Sequence, residues 1–203
     1  MSRRIQVSAL GFTLIELMVV IALMAILVVL AVPSFDKMIV MQRLRGTNAQ
    51  LITDLQLARS EATMRGTFGR VNFGTDANQT CYTIYVTNGS FSRCDCTLGA
   101  GSACTVDSAT TTEVRTVQIP RSTGVTVIAT VPTPAGGTDT AFGYDPVTGG
   151  LMLIPTDIGA SPLGSVRIES RVDDDRRLVN TIIQSGRPSV CAPNASVMQV
   201  TAC

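Results

Sequence analysis

Between Phe12 and Val32 the chain carries only two polar side chains, Thr13 and Glu16, in twenty-one residues. As a helix rising ~1.5 Å per residue the run is ~32 Å long, about the thickness of a bilayer's hydrocarbon core. A segment of this kind crosses or sits in a membrane. Glu16 needs an explanation, because an unpaired carboxylate this far into an apolar run costs at least ~2.5 kcal/mol on insertion scales. Its nearest candidate partner is an amine, and one becomes available if the chain is cut between Gly11 and Phe12. The new N-terminus would then lie one helical turn from Glu16, or beside the Glu16 of a neighbouring chain. A plain anchor or an uncleaved signal sequence leaves Glu16 without that partner.

The leader, residues 1–11, is short and carries Arg3 and Arg4. A secretory signal places its apolar core before the cut and small residues at the site. Here the apolar run follows the cut. The string Gly11-Phe12-Thr13-Leu14-Ile15-Glu16, behind a basic leader and before about twenty apolar residues, resembles the start of a type IV prepilin. The resemblance implies that a prepilin peptidase cuts after Gly11 and that Phe12 is N-methylated. It implies that the helix is first an inner-membrane anchor and later the packed core of a filament. In that filament Glu16 pairs with the N-terminal amine of another subunit. Pro33 falls where many such helices carry a proline, and it removes one helical hydrogen bond, bending or locally melting the helix. The implied partners are the peptidase, the inner membrane, and other major or minor pilins or pseudopilins. Charge counting does not orient the segment, since Arg3 and Arg4 face Lys37, Arg43 and Arg45 across it. The resemblance and the downstream cysteines both put the C-terminal domain outside the cytoplasm, and later in a pilus or pseudopilus.

The 203 residues leave room beyond the anchor for one globular domain of about 140 residues with its own core. A mean hydropathy of +0.32 is high for a soluble protein, but the anchor inflates it. The net charge of +1 becomes slightly negative once Arg3 and Arg4 are removed, so no global basic bias points to nucleic acid. Histidine and tryptophan are absent, which excludes His-dependent triads and His-ligated metals.

After residue 34 the helix is expected to continue to about residue 65. Met41, Leu44, Asn48, Leu51, Leu55, Ala58 and Ala62 recur at three- and four-residue steps, while Arg43, Asp54, Arg59 and Glu61 fall off that stripe. Asn48 interrupts the stripe and is a candidate contact to a neighbouring subunit. Gly66 after Arg65 reads as a C-cap with a cation in the last turn. Residues 53–66, TDLQLARSEATMRG, together with VQIP at 117–120, FGYDPVTGG at 142–150 and a last hairpin running into Ser185-Gly186-Arg187-Pro188, resemble the GspH/FimT branch of these proteins. That branch holds minor pilins of type IV pili and minor pseudopilins of type II secretion.

Beyond Gly66, β-forming runs at 68–73, 81–87, 114–119, 125–131, 141–144, 151–154, 166–171 and 178–184 are separated by Gly, Pro, Asn and Asp clusters. Residues 130–140 read as an exposed loop. A long helix packed on antiparallel sheet makes the expected fold class α+β, type IV pilin-like. The expected organisation is a leader at 1–11, a helix at 12–66 and an extracytoplasmic β-rich domain at 67–203. Within the helix, 12–32 would be transmembrane and filament core, and 36–66 would pack on the sheet. Asp173, Asp174 and Asp175 lack the spacing of an EF-hand and read as a solvated hairpin tip.

The six cysteines, Cys81, Cys94, Cys96, Cys104, Cys191 and Cys203, read as disulfides in an exported domain. Four thiolates around Cys94-Asp95-Cys96 are the zinc alternative, but paired C-x-x-C knuckles are missing. Joining Cys191 to Cys203 closes the C-terminal tail. The pairing among Cys81, Cys94, Cys96 and Cys104 is open.

No phosphate-binding glycine loop opens a helix and no nucleophile sits in a recognisable elbow, so neither enzyme nor cofactor is expected. The leading expectation is a minor pilin of a type IV pilus, with a type II secretion pseudopilin as the alternative and a membrane-anchored enzyme as a remote one. The resemblance also implies a DNA role, because some FimT-like pilins bind DNA through a C-terminal Gly-Arg-x-Arg motif. Gly186 and Arg187 match its first half, and Ser189 stands where the second arginine is expected. Serine cannot grip a phosphate bidentately. Arg167, Arg171, Arg176 and Arg177 are candidates to extend a basic surface, with Asp173–Asp175 among them.

Overall fold

A computed structural model describes residues 11–88, 93–105, 110–153 and 161–203, with residues 30–34 and 161 described by backbone alone. The chain divides into two compact units, Met1–Ile39 and Val40–Cys203. One helix, α1 (Leu14–Arg65), contributes to both.

In the first unit every side chain described, from residue 11 to 29 and from 35 to 39, is exposed. Among the described residues no helix is long and apolar enough to cross a membrane. The apolar run of the sequence continues into residues 30–32, whose side chains lie outside the described residues. Pro33, described by its backbone alone, lies within the continuous α1, so the expected local melting of the helix does not occur there, and leader residues 1–10 lie outside the described residues.

In the second unit the stripe of α1 is buried: Leu44, Leu51, Leu55, Ala58 and Ala62 are at most 1% exposed, Asn48 is 4%, and Met41 is half-buried. The helix ends in a Schellman-type turn. Gly66 adopts a φ of +61°, and the Thr67 N–H reaches the Ala62 carbonyl at 3.2 Å.

The chain then builds two antiparallel sheets. The first has the order β3 (Thr111–Pro120), β2 (Gln79–Thr87), β1 (Phe68–Thr75), β6 (Ala141–Tyr144), β7 (Leu151–Leu153), β8 (Ser161–Pro162). The second runs β11 (Pro188–Cys191), β10 (Arg177–Ile183), β9 (Ser165–Arg171), β4 (Thr126–Pro132), β5 (Thr138–Asp139). Leu51 and Leu55 of α1 share one core with Val71, Ile84 and Phe142 of the first sheet and Val127, Ile168 and Ile182 of the second. This is the expected α+β architecture.

Small residues let α1 lie close against β1. A Cβ on Gly69 would sit 2.5 Å from the Ala58 carbonyl oxygen and 2.9 Å from the Ala62 Cβ. Any larger residue there would push helix and strand apart.

Three expectations change. Asp54, placed off the buried stripe by its spacing, is 1% exposed. Its Oδ2 accepts the Tyr82 hydroxyl at 2.7 Å, and its Oδ1 faces Arg115 Nη1 at 3.1 Å as an ion pair. Asn48 has its partner inside the chain, since its Oδ1 accepts Asn180 Nδ2 at 2.6 Å. Residues 130–140 are a short hairpin rather than a loop, with β5 paired to the end of β4 and Thr133 N–H bonded to the Gly137 carbonyl. Position 154, expected in a strand, lies outside the described residues. Short β8 and β11 and the single-turn α2 (Ala195–Met198) carry too little periodicity for the sequence to announce them.

Candidate functional site

At the start of α1, Thr13 stands at the N-cap position and its Oγ1 accepts the Glu16 backbone N–H at 3.4 Å. Thr13-Leu14-Ile15-Glu16 is the spacing of a capping box, a signal that reasoning about membrane charge alone passes over. Gly11, Phe12 and Glu16 are all exposed, and Phe12 is 82% so. Leu17 N–H bonds to the Thr13 carbonyl at 3.2 Å, so the first turn closes directly behind Phe12.

The cysteines organise two other places. Cys81 pairs with Cys96, Cys94 with Cys104, and Cys191 with Cys203. All six sulfurs are therefore engaged as disulfides, and Cys81 of β2 with the three cysteines of the β2–β3 insertion (Cys94, Cys96 and Cys104) form no thiolate set. β2 is buried along nearly its whole length. Tyr82 faces Asp54 of the helix, while Tyr85 packs with Cys94, Ala103 and Cys104 of the insertion. The insertion thus covers the face of the first sheet that the helix leaves open.

Sheet side chains hold this cover by its backbone. Asn72 Nδ2 donates to the Cys94 carbonyl at 2.8 Å, and Gln118 Nε2 to that of Cys96 at 3.1 Å. The Glu113 carboxylate accepts from Gly101 N–H at 2.9 Å and Ala103 N–H at 3.2 Å. Arg93 forks onto Asp139, and that hydrogen bonding holds the guanidinium pKa above its usual value.

The C-terminal tail is a plug. Ala192 N–H bonds to the Thr201 carbonyl at 2.9 Å, and Cys203 N–H to that of Ala192 at 3.3 Å. Between these ties Met198 is fully buried, and Arg45 Nη2 donates to its carbonyl at 3.3 Å. The Cys191–Cys203 bond therefore closes a loop whose content completes the core.

The Gly186-Arg187 turn joins β10 to β11 and meets the last third of α1. Gly186 is buried with a φ of +77°, and a Cβ there would collide with the Gly149 carbonyl oxygen. Gly149, in the β6–β7 turn, has a φ of +63° and lies against Arg59. Arg59 Nε donates to the Gly149 carbonyl at 2.9 Å. The two glycines thus seat the Arg59 side chain beside exposed Arg187. Sequence reasoning passed over Arg59 because it lies 128 positions from Arg187 and merely falls off the helix stripe.

Two surface cavities, of about 870 and 620 Å3, flank this contact, and both are lined by Arg59 and Arg187. The larger also holds Asp145, whose carboxyl is kept below the usual carboxylate range by hydrogen bonds from its own turn, Thr148 N–H first. Among the described residues no carboxylate lines the smaller one.

The other arginines do not join this site. Arg167 pairs with Glu169 at 2.9 Å, Arg177 approaches the same carboxylate at 3.8 Å, and Arg176 is held by Asp173. Arg171, Arg176 and Arg177 also sit at the far end of β10, ~20 Å along the strand from the Gly186 turn. The expected basic extension is therefore neutralised or remote. Ser189 lies in β11 with its Oγ bonded to the Thr181 carbonyl at 3.1 Å.

Two family models match the chain. One, the prokaryotic N-terminal methylation motif, covers residues 8–32 and so contains Gly11, Phe12 and Glu16. The other, type II transport protein GspH, covers residues 47–186, from the buried helix stripe through both sheets. No curated protein and no solved structure matches the chain. The matched families are structural pilin and pseudopilin types rather than enzymes, membrane-anchored and assembled into filaments with other subunits. The chain belongs to the GspH family, as a GspH/FimT-like type IV pilin.

Proposed function

We propose that the chain is a minor pilin of a type IV pilus, cut by prepilin peptidase after Gly11, N-methylated on Phe12 and built into the filament through its N-terminal helix. One observation carries this reading. Residues 12–29 are apolar except for Thr13 and Glu16, and every one of their side chains is exposed. Exposed apolar surface on this scale marks a surface that another body covers, first lipid and then neighbouring subunits. Glu16 would supply the one charge in that surface and meet the Phe12 amine of another copy. The head suits an extracellular position, with its cysteines paired and its tail pinned.

The test is mass spectrometry of sheared filaments together with a Glu16→Ala variant. The expected protein begins at methylated Phe12, and Glu16→Ala inserts into membranes but is absent from filaments. Retention of Met1 in filaments, or normal incorporation of Glu16→Ala, overturns the reading.

The description of the matched family, type II transport, favours a second reading as a secretion pseudopilin. Deleting the gene separates the two. Loss of pili with secretion intact supports the pilus, and the reverse supports the pseudopilus. A contribution to DNA uptake would rest on Arg187 and its surroundings, because the arginines at the β9–β10 hairpin are engaged with carboxylates or remote from it.

A further inference from the structure

We propose that the head is a client of a disulfide isomerase, a dithiol protein that converts a consecutive pairing of Cys81, Cys94, Cys96 and Cys104 into the interlaced pairing of the fold. The proposal rests on the head being exported to an oxidising compartment, in a pilus and a pseudopilus alike.

The pairing itself is the first observation. Along the chain the first cysteine joins the third and the second joins the fourth, as Cys81–Cys96 and Cys94–Cys104. A chain oxidised as it emerges meets consecutive partners first, Cys81 with Cys94 and Cys96 with Cys104. The native separations of 15 and 10 residues are slightly longer than those of the consecutive pairs. Closure entropy varies slowly with loop length, so chain statistics give the native pairs no advantage.

What selects the native pairs emerges late. Strand β3 begins at Thr111, after all four cysteines. Its Gln118 Nε2 donates to the Cys96 and Thr97 carbonyls at 3.1 and 3.2 Å. Its Glu113 carboxylate accepts the Gly101 and Ala103 N–H groups, the latter beside Cys104. On β1, Asn72 holds the Cys94 carbonyl. Gly74 leaves room for the other bridge, since a Cβ there would meet Cys96 Sγ at 2.8 Å and Cys81 Sγ at 3.4 Å. The set is complete only once β3 has joined the sheet.

Burial then makes the outcome final. Cys81 and Cys96 are 0% exposed, Cys94 is 2% and Cys104 8%, so an outside thiolate does not reach the native bonds. A wrong pair has to be exchanged before the head closes. The exchange balances without net oxidation or reduction. The isomerase thiolate attacks Cys94 Sγ of a Cys81–Cys94 bond, forming a mixed disulfide and releasing the Cys81 thiolate. That thiolate attacks Cys96 Sγ of Cys96–Cys104. The freed Cys104 thiolate attacks Cys94 Sγ and releases the enzyme. The last two cysteines, Cys191 and Cys203, pair consecutively and serve as an internal control.

The test expresses the full chain in a bacterium with its thiol-oxidising pathway intact and its disulfide-isomerase gene present or deleted. Thiols are alkylated in the membrane fraction, before filament assembly. Bridges are mapped by non-reducing peptide mass spectrometry after cleavage before Asp95, which separates Cys94 from Cys96. Four cysteines pair in three ways and nothing early favours the native one, so without the isomerase the two native bonds should fall at least about twofold. Cys81–Cys94 and Cys96–Cys104 should replace them, with Cys191–Cys203 unchanged. Adding reduced protein disulfide isomerase to the misbridged chain in dodecyl maltoside should restore the native bonds. Removing the interlacing with Cys81→Ala and Cys96→Ala together should let Cys94–Cys104 form equally in both strains. Native pairing that is equal in both strains overturns the proposal, as does misbridged chain that added isomerase leaves unchanged. A Cys94–Cys104 bond that still needs the enzyme in the double variant overturns it too. Six alkylated thiols in both strains overturn the export of the head, and the proposal with it.

Discussion

Residues 14–29 and residues 40–65 belong to one helix, yet they use their apolar side chains in opposite ways. The first stretch is apolar at nearly every position and buries none of its side chains within the chain. The second carries charged and polar residues on most of its surface, and Leu44, Leu51, Leu55, Ala58 and Ala62 are fully buried. Burial inside a fold follows the period of the pattern, because a sheet can cover only one face of a helix. A helix apolar all round has to be covered by something else. The contrast also predicts what each stretch contributes to the stability of the head.

The largest separation should come from alkaline pH. All three tyrosines, Tyr82, Tyr85 and Tyr144, are buried, and desolvation raises each phenol's pKa above its ordinary value. A raised pKa in the folded state means that the fold holds the protonated form. The stabilisation is fully present below the unfolded value of about 10 and is lost progressively as pH rises from there towards the raised folded values. The head should therefore unfold above about pH 10, with phenolate absorbance appearing together with the loss of near-UV circular dichroism. Residues 14–29, whose only titrating side chain is Glu16, should keep their helicity in micelles. Phenolate absorbance that rises while the head stays folded would break the contrast.

Next in size is a paired truncation. Leu51→Ala should destabilise the head by about 2–5 kcal/mol, through lost burial plus the cavity left behind. Leu23→Ala, at a position 57% exposed, should change head stability by less than about 0.5 kcal/mol. Denaturant titration of the full chain in micelles under non-reducing conditions measures both. Equal effects would mean that the first stretch also packs on the head.

The smallest effect sharpens the polar side of the buried stripe. Asp54→Ala leaves the buried Tyr82 hydroxyl without its acceptor and should cost about 1.5–3 kcal/mol. Arg115→Ala removes only the outer partner, 45% exposed, and should cost less than about 1 kcal/mol. If Arg115→Ala proves the more damaging, the ion pair rather than the tyrosine hydrogen bond holds Asp54 in place.

Much of the fold was legible because it is written in local pattern. The apolar run, the three- and four-residue stripe, the Gly66 stop and eight β-forming runs each follow from a few neighbouring residues. What escaped depends on distant partners. Asp54 lies off the stripe, and only the approach of Tyr82 and Arg115 makes its burial tolerable. The candidate site divides in the same way. Arg187 was visible beside Gly186 through a resemblance, whereas Arg59 joins it only because the β6–β7 and β10–β11 turns close over the helix. Arg167 and Arg176 looked available in sequence but pair with carboxylates two and three residues away, and Arg177 approaches Glu169 across the β9–β10 hairpin, a neighbour in space and not along the chain.

By itself, then, the sequence determined that this chain has an apolar N-terminal helix preceded by a processing motif, followed by a β-rich, disulfide-bearing head. Composition and period suffice for the helix and the β-rich head, because both act over a few residues, while the processing motif rests on a family resemblance. Only the tertiary structure decided how Cys81, Cys94, Cys96 and Cys104 pair, why the tail is pinned and which arginines are engaged. Each of these is a matter of distance between residues far apart in the chain, and hydrogen bonds and ion pairs act over a few ångströms in space.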